Sequence, residues 1–142
     1  MSRVVSDDCI HWSSPVIISE PGPDDDIQES HYGLMPWRVD EYHLGFMMVF
    51  HQVDSTLHFE LVHSRDGVSW KRLTPGRSLI PRGEPGSYDS LMIESPSPFV
   101  TVGDEHWIYY GGSSMHHDYY GHPEVPGVPE TSRHPKARTH LG

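Results

Sequence analysis

The amino-acid sequence predicts an all-β fold of short strands joined by tight turns, and three observations predict it. Thirteen Gly and thirteen Pro stand among 142 residues, against roughly 12% in average usage, so punctuation is frequent and long helices are disfavoured. The segment Leu57 to His63 alternates with the period-two pattern of a strand. A heptapeptide recurs: Ser6-Asp7-Asp8-Cys9-Ile10-His11-Trp12 and Ser64-Arg65-Asp66-Gly67-Val68-Ser69-Trp70 share Ser, the second acid and Trp, at an offset of 58 from 6 to 64, 8 to 66 and 12 to 70.

The elements follow in chain order. Each heptapeptide predicts a tight turn between strands, with its Trp opening the next strand as a core plug. Behind the first copy comes the short apolar piece Pro15 to Ile18, then an acidic, Gly-containing turn. Tyr42 to Gln52, entered by Asp40-Glu41, is rich in aromatic and apolar residues and predicts a mostly buried strand, bulged at Gly45. Leu57 to His63 places Leu57, Phe59, Leu61 and His63 on one face and His58, Glu60 and Val62 on the other. Phe99 to Val102, the turn Gly103-Asp104-Glu105 and Trp107 to Tyr110 predict a hairpin that Gly111-Gly112 ends.

A unit of about 58 residues with three or four short strands has the size of a propeller blade, a four-stranded antiparallel sheet that packs radially on its neighbours. The units expected are 5–63 and 64–112, with 113–142 as a loop leading toward a further blade. Two units cannot close a ring, so the chain is expected to be one partial propeller domain cut at both ends. Uncovered sheet faces and edges give such a piece a tendency to associate with copies of itself.

Charge and cysteine count narrow the function. Ten Lys and Arg against 20 Asp and Glu give a formal charge of -10, a field that repels phosphate backbones and anionic lipid, so neither nucleic acid nor a membrane surface is expected as partner. The single Cys9 permits no internal disulfide and no cysteine metal cage. The longest apolar stretch, Leu44 to Phe50, is far short of a membrane helix, and the N-terminus shows no signal-peptide core. A cytoplasmic location is expected.

Leu57 to Trp70, then Leu79 to Ile93, then Val102 to Gly112 together resemble the five-bladed propeller hydrolases, closest to glycoside-hydrolase-like proteins related to families 32 and 43. The resemblance covers about residues 5–122. It implies a partial five-bladed β-propeller, hydrolysis of a glycosidic bond in a carbohydrate substrate, and no cofactor. Glycosidases need one carboxyl protonated to serve the leaving oxygen and another ionised to attack or to activate water.

The resemblance assigns candidate residues. Glu94, in Ile93-Glu94-Ser95-Pro96, matches the segment that carries the general acid, and Asp89, behind the Gly86 turn, is the second catalytic candidate. Asp89 has an alternative role as a cap of its own turn. Asp40 stands where a preceding blade supplies a stabilising Asp, although Asp40-Glu41 also matches the hairpin turn Asp104-Glu105 and is favoured as a turn. Trp37, His117 and Asp118 complete the substrate-binding set, polyol recognition requiring an aromatic platform beside fixed donors and acceptors. Trp107, Tyr109 and Tyr110 could serve the platform, but a place in the core is the favoured reading of Trp107 and Tyr109. The Asn-Asp-Pro nucleophile segment of the first blade is not in these residues.

Other constellations carry less. His106, His116, His117 and His122 form the densest histidine group without helical zinc spacing, and no metal site is expected. His51 and His63 end apolar strands and are read as packed or turn-bonded. Gly111-Gly112-Ser113-Ser114 lacks the Lys of a phosphate loop, and Asp24-Asp25-Asp26 lacks the alternation of a calcium loop. The competing readings are a sugar-binding or scaffold propeller without chemistry, and a protein-interaction propeller.

Overall fold

The computed structural model describes residues 1–94 and 98–117, and the backbone of 140–141. All regular structure in these residues is β: β1 (Ser2–Arg3), β2 (Val16–Ile17), β3 (Glu29–Val39), β4 (Tyr42–His51), β5 (Thr56–Ser64), β6 (Lys71–Arg72), β7 (Met92–Glu94), β8 (Val100–Val102), β9 (Glu105–Trp107), β10 (Gly111–Ser113) and β11 (His140–Leu141). Seven of these strands form one curled sheet in the order β11-β10-β7-β5-β4-β3, with β6 also on β5.

The centre of the sheet is the meander β3-β4-β5. A two-residue turn at Asp40-Glu41 joins β3 to β4, with Val39 paired to Tyr42 and Asp40 in the left-handed region at φ 51°, which Asp tolerates better than most residues. Leading out of β4, Asp54 accepts a hydrogen bond from Thr56 Oγ1 at 2.8 Å to shape the next turn. The free edge of β5 is then shared by three segments. β6 pairs with Val62 and His63, Leu73 N donates to Leu61 O and Leu79 N to Phe59 O, and β7 runs parallel at Leu57.

Gly45 is not a bulge. β4 pairs without interruption, and the register shift lies across from it on β3, between His31 and Gly33. What Gly45 provides is room, because a Cβ there would come within 2.8 Å of Leu34 Cδ1 and 3.3 Å of both Trp70 and Val62 side chains. Pro36, on the same strand pair, is tolerated because β3 is an edge of the sheet.

Beyond β5 a second ribbon begins. β7 pairs with β10 (Glu94 with Gly111), and β8 pairs with β9 (Val100 with Trp107) in a separate two-stranded sheet that turns at Gly103-Asp104. Gly111-Gly112 therefore continue the ladder instead of ending it. Gly112 is needed where it stands, since a Cβ would meet Asp89 Cβ and Tyr88 at 2.7 Å.

Both faces of the meander are covered. On one, Phe46, Phe59 and Ile93 form a cluster with Met35, Trp37, Phe99 and Tyr110, flanked by Phe50, Leu57 and Met92. On the other, Met47, Val49 and Val62 pack under Met1, Leu34 and Trp70. The second ribbon thus closes one face and the N-terminal segment the other.

The heptapeptide repeat is also a repeat in conformation. Asp8 Oδ1 accepts from Ser6 Oγ (3.1 Å), Ile10 N (2.9 Å) and His11 N (2.8 Å), and Asp66 Oδ1 from Ser64 Oγ (2.9 Å), Val68 N (2.8 Å) and Ser69 N (2.7 Å). Cys9 and Gly67 occupy the same left-handed position at φ 59° and 69°. Ser13 N donates to Val5 O where the second copy pairs Lys71 with His63. Residues 63 and 64 both belong to β5, and the second copy of the turn lies between β5 and β6.

Candidate functional site

The candidate residues Glu94, Asp89, Asp40, Trp37 and His117 stand on different strands and turns of the described chain. Glu94 lies on β7, half-buried, and no hydrogen bond or ion pair joins its side chain to another described residue. Asp89 is buried at 8% exposure, and both carboxylate oxygens are engaged: Oδ1 accepts from Ser87 Oγ at 2.7 Å and Oδ2 from Tyr110 Oη at 3.1 Å. The expected cap through the Ser90 or Leu91 amides is replaced by these side-chain bonds. Tyr88 Oη lies 2.7 Å from Tyr110 Oη. That hydrogen bond, with burial and the Asp89 carboxylate, holds the Tyr110 phenol well above the usual tyrosine range.

Asp40 stands at the β3-β4 turn, where its backbone oxygen accepts from Arg38 Nε at 2.9 Å. Trp37 packs into the core with ring centroids 4.6 Å from Phe46 and 5.0 Å from Phe99, and its Nε1 is shut off from solvent without a partner among the described residues. It is a core residue here. Trp107 and Tyr109, favoured for the core, are each 50% exposed. His117 donates its amide to Ser55 O and sets its ring edge-on to Tyr32 at 5.0 Å. Asp118 lies outside the described residues. Among the described residues no group of three or more His, Cys, Asp or Glu is arranged to hold a metal ion.

The densest polar site is one that the sequence reading passed over. Glu60, on β5, is fully buried, and its carboxylate accepts from Arg72 Nε (2.6 Å), Arg72 Nη2 (2.8 Å), Gly76 N (2.8 Å) and, through Oε1, pairs with His58 Nε2 (3.1 Å). Arg72 Nη1 binds Asp25 as well. Burial acts to raise the Glu60 pKa, but the hydrogen bonds from Arg72 and His58 and the charge of Arg72 outweigh it and hold the carboxyl down to about 2. The planar guanidinium suits this two-pronged grip.

The chain of contacts continues outward. His58 Nδ1 lies 2.9 Å from His51 Nε2, and His51 Nδ1 lies 3.4 Å from Glu29 Oε1. Register explains the alignment, since Glu29 pairs with His51 and His51 with Thr56, two residues before His58 on β5. The signal in the sequence was His58-x-Glu60 beside Val62 on one face of a strand whose other face carries Leu57, Phe59 and Leu61. A buried carboxylate requires a cation, and only the fold shows Arg72 supplying it.

No known family model matches the chain, and no curated protein matches it either.

Proposed function

We propose that the chain supplies parts of three consecutive blades of a five-bladed β-propeller of the glycoside-hydrolase type, and that the intact protein cleaves a glycosidic bond with Glu94 as proton donor. The repeated Ser-x-Asp turn supports the blade reading: in this division β1-β2 are the outer hairpin of one blade, β3 to β6 the next blade, and β7 to β10 the opening hairpin of a third. Apolar clusters on both faces of the meander support it too.

The observation that carries the chemical half is the uncommitted side chain of Glu94 on the opening strand of the third unit, beside Gly111. Asp89 is given a positioning role, because both of its oxygens are engaged by Ser87 and Tyr110. Two carboxylates are needed for hydrolysis, so the partner of Glu94 is assigned to another blade. In the intact protein, screened against fructosides, arabinosides, xylosides and mannosides, Glu94→Gln is expected to lower turnover by about 100-fold or more. Unchanged turnover overturns the assignment.

A second reading, a carbohydrate-binding propeller without chemistry, is favoured by the engagement of Asp89 and the turn position of Asp40. It predicts sugar binding that Glu94→Gln leaves intact and no turnover by the unaltered protein.

A further inference from the structure

The path from Glu60 to Glu29 holds two histidines in direct contact, and the contacts fix where protons can sit. Glu60 is ionised and gripped by Arg72, so it can only accept, and His58 Nε2, at 3.1 Å, must carry a hydrogen. The two rings lie 4.9 Å apart between centroids at an interplanar angle of 23°, with His58 Nδ1 and His51 Nε2 facing each other at 2.9 Å. One hydrogen fits between two such nitrogens, never two. With both rings neutral, His51 Nε2 donates to His58 Nδ1, and the bare Nδ1 of His51 faces the Glu29 carboxylate at 3.4 Å.

We propose that His51 and His58 form a one-proton switch strung between Glu29 and the buried Glu60. A proton arriving from solvent binds Nδ1 of His51, turning a lone pair that opposes Glu29 into an N–H donor that binds it. A second proton is excluded, since it would place two hydrogens in the 2.9 Å contact between the rings. Glu29 is the moving part: it lines a cavity of about 220 Å³ with His51, His58, Gly76, Ser78 and Arg82, and proton uptake draws its carboxylate from that cavity onto the imidazole.

The surroundings set the direction of the linkage. Burial, then the His58 charge, pushes the His51 pKa below its ordinary 6.5, while Glu29 on β3 and Asp54 in the following turn pull it up, and Arg82 opposes them. From β5 and β6, Glu60 and Arg72 face His58 as a matched pair, with Asp25 behind Arg72. A histidine with a lowered folded pKa binds its proton less readily folded than unfolded. Its contribution to stability is therefore full above 6.5 and declines as the pH falls through the folded value.

Nitrogen NMR of the imidazoles in the full chain, titrated from pH 8 to 5, tests the switch. The expected result is one proton taken up by the pair, with His58 Nε2 hydrogen-bearing at every pH. Glu29→Gln, on β3 and away from the buried Glu60–Arg72 pair, is expected to keep the amide spectrum and weaken that uptake roughly fivefold by removing the opposite charge. Two separate protonations in the pair, or uptake indifferent to Glu29→Gln, overturns the proposal.

Discussion

The two Ser-x-Asp turns are the same object in two settings. In both, one carboxylate oxygen collects a serine hydroxyl and two backbone amides, and the following residue turns left-handed. Yet Trp12, at the end of the first, is 57% exposed, whereas Trp70 packs against Met47, Val49 and Val62. The positions that hold Glu60 and Arg72 around the second turn hold Ser2 and Ser14 around the first. The turn is thus encoded by its own seven residues, and the fate of its tryptophan by what lies alongside.

That separation can be broken at its strongest point first. Arg72→Met should cost about 3–5 kcal/mol, because it strands a buried carboxylate, while Ser14→Met should change stability by less than about 0.5 kcal/mol. Urea unfolding of both variants measures the contrast. Equal costs would mean that the network on the second copy contributes no more than the surface of the first. Acid supplies a parallel test without mutation: Glu60, with a folded pKa lowered to about 2, contributes stability that is present above its ordinary 4.5 and lost as the pH falls toward 2. In Arg72→Met that part of the acid dependence should shrink.

A smaller difference is expected at the tryptophans. Trp70→Ala removes a side chain from the packed face and should cost about 3 kcal/mol, while Trp12→Ala should stay within about 0.5 kcal/mol. Thermal midpoints suffice to compare them. The smallest and most local effect concerns the left-handed position. Gly67→Ala should destabilise by about 1 kcal/mol, since a side chain is disfavoured at φ 69°, and Cys9→Gly should stabilise by a similar or smaller amount. Opposite signs for the two changes would sharpen the equivalence of the turns, and equal signs would break it.

These contrasts explain what the sequence could and could not disclose. Turns announced themselves, because Asp-Gly and Ser-x-Asp patterns act through bonds to amides two and three residues away. Strand identity followed for β4 and β5, whereas the second hairpin strand, expected at Trp107 to Tyr110, runs from Glu105 to Trp107 and takes in part of the expected turn. β3 was hidden by Pro36 and by a bulge at Tyr32 that breaks its alternation. Gly45 was misread because its reason is a neighbour on another strand, Leu34, and no local pattern reports such a contact. The candidate site suffered most. Asp89 was legible as a constrained carboxylate, but its partner Tyr110 is 21 residues away, and the grip of Arg72 on Glu60 joins residues 12 apart across two strands. Long-range pairing is the part of the information that composition and period do not carry.

The unequal surroundings of the four tryptophans divide the light the protein emits. Trp12 and Trp107 stand 57% and 50% exposed, while the indole nitrogens of Trp37 and Trp70 are closed to solvent. Excited indoles in water relax to longer wavelengths than indoles held in a hydrocarbon setting, so the emission is a sum of a red and a blue population. A dissolved ionic quencher reaches the red pair and spares the blue one. Each of the two inner tryptophans sits on a different face of the central meander, and the blue component therefore reports on both coverings of the sheet at once, through an optical signal intrinsic to the chain.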